Sequence, residues 1–262
     1  MRLDQLLFER GLFESRSRAA ASVLAGEVLL GAGRQRAEKA GQLVPADIEI
    51  DVAAAARYVS RGGIKLANAL DALGVDVGGA FALDVGASTG GFTDCLLQRG
   101  ASHVVALDVA YGELHWRLRN DPRVTVLERC NARSLRADAL PYAPGLIVVD
   151  VSFISLAKVL PPVLACAAPG FDCLAMIKPQ FEVGREAVGK GGVVREPTAR
   201  RGALIAVGRT VLQAGASVLG YASSGLPGPK GNLETFVRLA EAGRAGGLDG
   251  DGIERSAAEV EP

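Results

Sequence analysis

The sequence predicts an α/β protein: a doubly wound, mostly parallel, seven-stranded Rossmann-like sheet preceded by a small N-terminal α+β module. Three observations carry that prediction. Beyond residue 64, short apolar runs alternate with helical stretches, the order expected of a parallel sheet joined by crossover helices. Two of those runs, Leu146-Ile147-Val148-Val149 and Leu174-Ala175-Met176-Ile177, are apolar at every position, as strands covered on both faces require. A third, Ala82-Leu83-Asp84-Val85, enters a helix through Gly86-Ala87-Ser88-Thr89-Gly90-Gly91, small residues that let backbone amides approach a ligand. At 262 residues and 49% hydrophobic content, the chain can bury one such domain and a small appendage.

Residues 1–56 form the module. Apolar spacing predicts a helix over Leu3–Glu9 and a second from Ser17 to Leu24, stopped at Gly26. A strand follows at Val28–Leu30, and Ile48-Glu49-Ile50-Asp51 alternates as a half-buried strand does. Arg2, Arg16 and Arg18 are its candidate phosphate contacts, because Ser15-Arg16-Ser17-Arg18 opens a helix whose amides favour an anion; a solvated basic face is the plainer reading. Arg2-Leu3-Asp4, Ser15-Arg16 and Gly26-Glu27-Val28 resemble the RNA-binding module first seen in ribosomal protein S-four. The chain departs from that pattern at Leu29-Leu30-Gly31, where a Val-Asn-Gly turn is usual.

Ala53–Ala56 is a low-complexity join, and residues 57–63, ending in Arg61-Gly62-Gly63, read as a linker. The large domain spans 64–242. Ile64, Ala67, Leu70 and Leu73 recur at helical spacing and leave Lys65 off the buried stripe. Strands are expected at Phe81–Asp84, His103–Asp108, Val124–Leu127, Leu146–Asp150, Cys173–Lys178, Ser217–Ala222 and Thr235–Leu239, with helices over Gly91–Gln98, near Trp116, from Ser155 and over Ala199–Ala214. Core packing is the expectation for Trp116, with stacking on adenine the other reading. Residues 243–262, rich in Gly and acidic side chains, read as a disordered tail.

The strand-to-helix loop decides among cofactors. Asp84, Gly86, Ser88 and Gly90 follow the Asp-x-Gly-x-Gly-x-Gly pattern of methyltransferases with Ser at the middle glycine, and they do not meet the dinucleotide fingerprint Gly-x-Gly-x-x-Gly. Asp108 ends the next strand, where a carboxylate can accept both ribose hydroxyls of an adenosine. Gly91, Phe92 and Asn131 complete the candidate S-adenosyl-L-methionine site; for Asn131 a turn role is an equal reading. A hydrolase elbow at Gly86–Gly90 lacks a downstream histidine, since none follows His115. Gly184–Gly191 matches a Walker loop until Gly191, which has no hydroxyl for magnesium; a substrate-side loop carrying Arg185 and Lys190 is the preferred reading, an inert connector the other.

Lys65, Asp150, Lys178 and Glu234 fall where this fold would gather them. Asp150 and Lys178 end strands at the carboxyl edge of the sheet, Glu234 precedes the last strand, which is antiparallel in methyltransferase sheets, and Lys65 comes from the leading helix. Two lysines with two carboxylates can orient a hydroxyl and manage its proton: Lys178 is the candidate acceptor, Lys65 beside it disfavours its charged form and stabilises the oxyanion, Asp150 and Glu234 orient the amines, and a charged Lys178 acting only electrostatically is the other reading. Separate surface ion pairs are the alternative. The cysteines and histidines show no metal-ligand spacing, and no metal is expected. With 29 basic and 29 acidic residues, any affinity for nucleic acid must come from segregated patches. No apolar run approaches the ~18 residues of a membrane span, and no secretory hydrophobic region follows Met1, so a soluble, cytoplasmic protein with no membrane contact is expected.

Arg61-Gly62-Gly63-Ile64-Lys65-Leu66, Asp84 to Thr93, Asp108 with Trp116-Arg117-Leu118-Arg119, Asp150-Val151-Ser152-Phe153, Lys178-Pro179-Gln180-Phe181-Glu182 and Gly231-Asn232-Leu233-Glu234 resemble the TlyA family. That resemblance implies an S-four-like module joined to an FtsJ-like 2′-O-methyltransferase domain. It implies methylation of cytidine ribose in 16S or 23S ribosomal RNA, or both, with ribosomal RNA or ribosomal subunits as partners and Lys65, Asp150, Lys178 and Glu234 as the catalytic tetrad. Haemolysin names within the family supply a rival, a membrane-active protein; a non-catalytic RNA-binding protein is another.

Overall fold

The computed structural model describes residues 1–24, 26–52 and 57–261. The Ala53–Ala56 join lies outside these. The chain divides into two compact units, Met1–Arg57 and Tyr58–Pro262.

In the first unit, α1 (Leu3–Glu9) buries Leu3, Leu6 and Leu7, one face of a helix by their spacing, against Ala19 and Val23 of α2 (Arg16–Leu24). A three-stranded antiparallel sheet completes it: β1 (Val28–Leu30) lies between β2 (Gln35–Arg36) and β3 (Ile50–Val52). The exposed pair Gln35–Arg36 carries no apolar alternation, so the sequence pattern gave no sign of β2.

The second unit opens with α3 (Arg61–Leu73) and then runs β4 (Phe81–Val85), α4 (Gly91–Gln98), β5 (His103–Leu107), α5 (Trp116–Arg119), β6 (Val124–Leu127), β7 (Leu146–Val149), α6 (Leu160–Leu164), β8 (Asp172–Ile177), α7 (Pro179–Glu182), α8 (Pro197–Gln213), β9 (Ser217–Ser223), β10 (Thr235–Ala240) and α9 (Gly250–Val260). The seven strands follow the order β6-β5-β4-β7-β8-β10-β9, with β10 alone reversed against its neighbours. The order reverses between β4 and β7, the switch point at which ligands sit in such sheets. Successive strand residues feed opposite layers: Leu83, Ile147, Cys173 and Val237 pack with α6, α8 and α9, while Ala82, Val148, Leu174 and Phe236 pack with α3 and α4. That double coverage explains the all-apolar runs.

Four expectations are corrected. Residues 57–63 are not wholly a linker: Tyr58 is buried in the core, and Arg61–Gly63 form the first turn of α3, where a Cβ on Gly63 would stand 2.3 Å from the Tyr58 ring. The segment 243–262 is no disordered tail. Asp249 caps α9 by accepting from Gly252 N at 2.7 Å, Ile253 and Ala257 are fully buried, and Glu261 pairs with Arg200 at 2.8 Å. Two buried residues four apart suffice to dock that helix, too sparse a signal to outweigh its glycines and charges. The buried face of α3 keeps Ala67 and Leu70 of the expected stripe but turns toward Leu66 and Ala69, so that Ile64 is 40% exposed and Lys65 is itself buried. Trp116, expected in the core, is 62% exposed.

Candidate active site

At the end of β4 the backbone turns at Gly86 with φ +85°, and a Cβ there would stand 2.3 Å from the carbonyl oxygen of Asp150. Only glycine fits so close to the neighbouring strand's end. Ser88 also sits in the left-handed region, at φ +46°, held by donating its N–H to Asp108 Oδ2 at 2.7 Å. Asp108 Oδ1 accepts from Ala110 N at 2.8 Å. Each carboxylate oxygen has a second lone pair, so Asp108 remains able to accept ribose hydroxyls while it shapes the loop.

Two cavities meet at this turn and share Gly86, Ser88 and Asp150. One, of about 400 Å³, is lined by Gly62, Lys65, Gly91, Lys178 and Glu234. The other, of about 540 Å³, is lined by Asp108, Val109, Asn131, Val151 and Phe153. A glycine cradle with an acidic ribose acceptor and apolar walls on one side, and charged groups on the other, fits an elongated adenosine-sulfonium ligand such as S-adenosyl-L-methionine.

The candidate cofactor residues divide accordingly. Gly86, Ser88, Gly91, Asp108 and Asn131 line a cavity, and Asn131 also holds a turn by accepting from Arg133 N at 3.0 Å. Gly90, at φ +94°, packs under Leu118. Phe92 reaches the cleft wall but is 3% exposed, its ring 5.8 Å from that of Phe236. Asp84 does not line either cavity: fully buried, its Oδ2 accepts from Thr93 N at 2.9 Å and Thr93 Oγ1 at 2.7 Å, which ties β4 to α4. Burial pushes its carboxyl up to about 7 against the opposing pull of those Thr93 bonds, with the carboxylates of Asp150 and Asp108 adding to the rise.

All four members of the proposed tetrad line one cleft, as two pairs. Lys65 Nζ donates to Glu234 Oε2, and both side chains are almost fully buried. Lys178 Nζ lies 2.5 Å from Asp150 Oδ1 and donates to Ser152 Oγ at 2.9 Å. The Asp150 contact is an ion pair whose angles fall outside hydrogen-bond geometry, so Asp150 Oδ1 has no aligned donor. Thr235 pairs with Ile177 in the antiparallel β10–β8 ladder, which brings the residues just beyond, Glu234 and Lys178, to the same edge. Lys65 is neutralised by Glu234 and does not act on Lys178 as an unpaired charge.

The basic residues are arranged differently from the expectation. Arg2 clamps the buried Asp4 with two bonds of 3.0 and 2.9 Å, and Arg16 adds a third at 3.1 Å, so both serve the module's own structure and offer about half their surface to solvent. Those bonds, Arg2 foremost, hold Asp4 well below the usual carboxylate range. Arg18, Arg185 and Lys190 are exposed, the last two on a segment with a short 3₁₀ turn at Arg185–Ala187 and no Walker-type strand-to-helix loop. Sequence reasoning assigned no role to Ser152, Phe153, Gln180 or Phe181. Phe153 is 91% exposed in the left-handed region, at φ +64°, and its ring lies 5.2 Å from that of Phe181. Such backbone strain clusters at functional sites; the quoted strand-end motif Asp150-Val151-Ser152-Phe153 was the available signal.

Residues 58–241 match the model of the FtsJ-like methyltransferases. The chain is 47% identical over 245 residues to the 16S/23S rRNA (cytidine-2′-O)-methyltransferase TlyA of Mycobacterium tuberculosis, covering 91% of this chain and 89% of that one. It is 40% identical over 240 residues to hemolysin A of Brachyspira hyodysenteriae, covering 91% and 99%. A solved Streptococcus thermophilus structure, described as a candidate hemolysin, superposes with a TM-score of 0.75 at 37% identity, covering 99% of this chain and 94% of that one. Among the described residues, no helix is long and apolar enough to cross a membrane.

Proposed function

We propose that this chain, which belongs to the FtsJ-like methyltransferase family and takes S-adenosyl-L-methionine as its cofactor, methylates the 2′-hydroxyl of a cytidine ribose in ribosomal RNA, in one or both subunits. The observation that carries this reading is the gathering of two lysine–carboxylate pairs in one cleft beside the Gly86 turn. The target named for the M. tuberculosis relative supplies the choice of cytidine and of 16S or 23S RNA. Cytoplasmic action on ribosomal subunits goes with that target.

The bound cofactor supplies an activated sulfonium methyl group. Gly86, Ser88 and Gly91 line its cradle, and Asp108 offers acceptors to its ribose. The chain's part is then to orient the hydroxyl and take its proton. Lys178 meets the hydroxyl in this reading. As an ammonium it has three donors, of which Ser152 takes one, while the unaligned ion pair with Asp150 leaves another for the substrate oxygen. To accept the proton, Lys178 must first release one of its own, for which Asp150 Oδ1, 2.5 Å away, is the neighbouring base once the pair turns into line. The amine so formed would take the hydroxyl proton as the oxygen takes the methyl carbon and the carbon–sulfur bond breaks, leaving a neutral thioether. Lys65 and Glu234 hold the cleft wall and its local potential. Arg18, Arg185, Lys190 and the exposed halves of Arg2 and Arg16 are the phosphate contacts.

The test is incubation with labelled S-adenosyl-L-methionine and separately purified 30S, 50S and assembled ribosomes, followed by mapping of the label. Label on a cytidine 2′-oxygen is expected; absence of transfer to every particle would sink the proposal.

A further inference from the structure

A third cavity, of about 390 Å³, adjoins the tetrad cleft and shares Lys178 and Glu234 with it. Its volume falls in the range of small-ligand sites, ~300–1,000 Å³. Phe153 and Phe181 give it apolar walls, and Asn232, although it lines the cavity, is spent on the backbone: its Oδ1 accepts from Val194 N at 2.9 Å and its Nδ2 donates to Gly192 O at 2.8 Å. Gln180 differs. It lines the cavity from α7, two residues after Lys178, and its Oε1 is buried without a hydrogen-bond partner. A buried amide oxygen left alone is unfavourable, so a glutamine that lines a substrate-sized space has a hydrogen bond to gain by turning that oxygen to an incoming donor.

We infer that Gln180 is a specificity-determining residue whose amide oxygen accepts a hydrogen bond from the exocyclic amine of the base on the nucleotide being methylated. The inference rests on the ribose-methylation reading above. Lys178 borders both spaces, so a ribose at Lys178 places its base next door, in the Gln180 cavity. Cytosine and adenine carry an amino donor on the edge that pairs with other bases. Uracil and guanine carry a carbonyl oxygen there, which would set two acceptors face to face against Oε1. A site built to bond a substrate N–H rejects the analogue lacking it, because its own polar group is then left unpaired. One such contact discriminates by on the order of 10- to 100-fold.

The test uses the full chain and ribosomal particles carrying cytidine or uridine at the modified position, with kcat/KM for methyl transfer measured on each. Wild type is expected to favour cytidine by about 10- to 100-fold. Gln180→Met keeps the side chain's length without its acceptor and should bring the ratio within about threefold; Gln180→Glu keeps the acceptor and should preserve the preference. Cofactor affinity, read by calorimetry, should be unchanged in both, since Gln180 lines neither cavity of the cofactor cleft. An unchanged cytidine-to-uridine ratio in Gln180→Met overturns the inference, as does a wild-type preference for uridine, which would mean the amide is turned over. If Gln180→Met does not fold, loss of the preference in Gln180→Glu overturns it instead. Wild type that methylates no RNA removes the reading beneath the inference, an outcome distinct from active enzyme indifferent to Gln180.

Discussion

Truncating one partner of the Lys65–Glu234 pair should destabilise the second unit far more than removing both. The two side chains are 8% and 2% exposed, so each charge has lost nearly all its water and depends on the other. Leaving either one alone in such a place costs ~3–5 kcal/mol, whereas replacing a buried pair by apolar groups of similar volume is neutral or stabilising. Lys65→Met and Glu234→Leu should therefore each lower Tm by about 6–20 °C, at ~2–4 °C per kcal/mol for a domain of this size. The double variant should melt near wild type, which with two single losses of ~3–5 kcal/mol makes a coupling energy of ~6 kcal/mol or more. Urea unfolding of the four proteins, with activity toward ribosomal particles measured in parallel, closes the cycle. Additive single losses, with coupling below ~0.5 kcal/mol, would refute the claim that burial makes the charges interdependent. A stable double variant with full methyl transfer would refute any part for the pair in the chemistry.

Three further outcomes are expected. Lys178→Arg keeps the positive charge but cannot yield a proton, so single-turnover methyl transfer should fall by ~10²–10⁴ with cofactor affinity retained, and a near-normal rate would show that Lys178 acts through charge alone. Gly86→Ala puts a Cβ 2.3 Å from the Asp150 carbonyl oxygen at φ +85°, so calorimetric cofactor affinity should drop at least about tenfold; unaltered affinity would contradict the cradle. Asp84→Asn removes a carboxyl raised from 3.8 to about 7, mainly by burial. A carboxyl raised on folding stabilises fully below its unfolded value and loses that contribution as pH climbs through the folded one. Wild type should therefore lose up to ~4 kcal/mol relative to the Asn variant between pH 4 and 7, and urea unfolding showing a pH-independent difference would contradict it.

How far the sequence reached depended on whether the physical cause was local. The sheet was legible because burial on both faces forces apolar residues along the whole of β7 and from Cys173 to Ile177 of β8. The Gly86 turn was legible because its residue types answer a steric demand within one loop. By contrast, α9 is held by Ile253 and Ala257 docking on residues far earlier in sequence, and nothing within 243–262 announces that partner. Asp84 shows the same limit at the site. Its position in the motif pointed to the cofactor, but the contacts that use both its buried depth and its Oδ2 come from Thr93 in the next helix. Gln180 and Phe153 lay inside quoted motifs and still had no role, because an unpaired oxygen and a strained backbone are properties of three dimensions.

The tetrad's two pairs are unequal, and the inequality suggests how labour is divided. Lys65 and Glu234 stand 169 positions apart in sequence and are sealed from water, so their bond pins α3 to the entrance of β10 and fixes one wall of the cleft. A pair so enclosed has little room to admit a substrate oxygen without giving up its own partner. Lys178 and Asp150 are 12% and 25% exposed, end adjacent parallel strands and keep unused bonding capacity on both sides. Proton movement needs a group that can meet solvent or substrate and a neighbour with an open lone pair, and only this second pair offers both. The reversed strand β10 is what brings Glu234 to its place: running antiparallel to β8, it starts at the edge where β8 ends, so the residue before Thr235 meets the residue after Ile177 and Lys65 finds its counter-charge there.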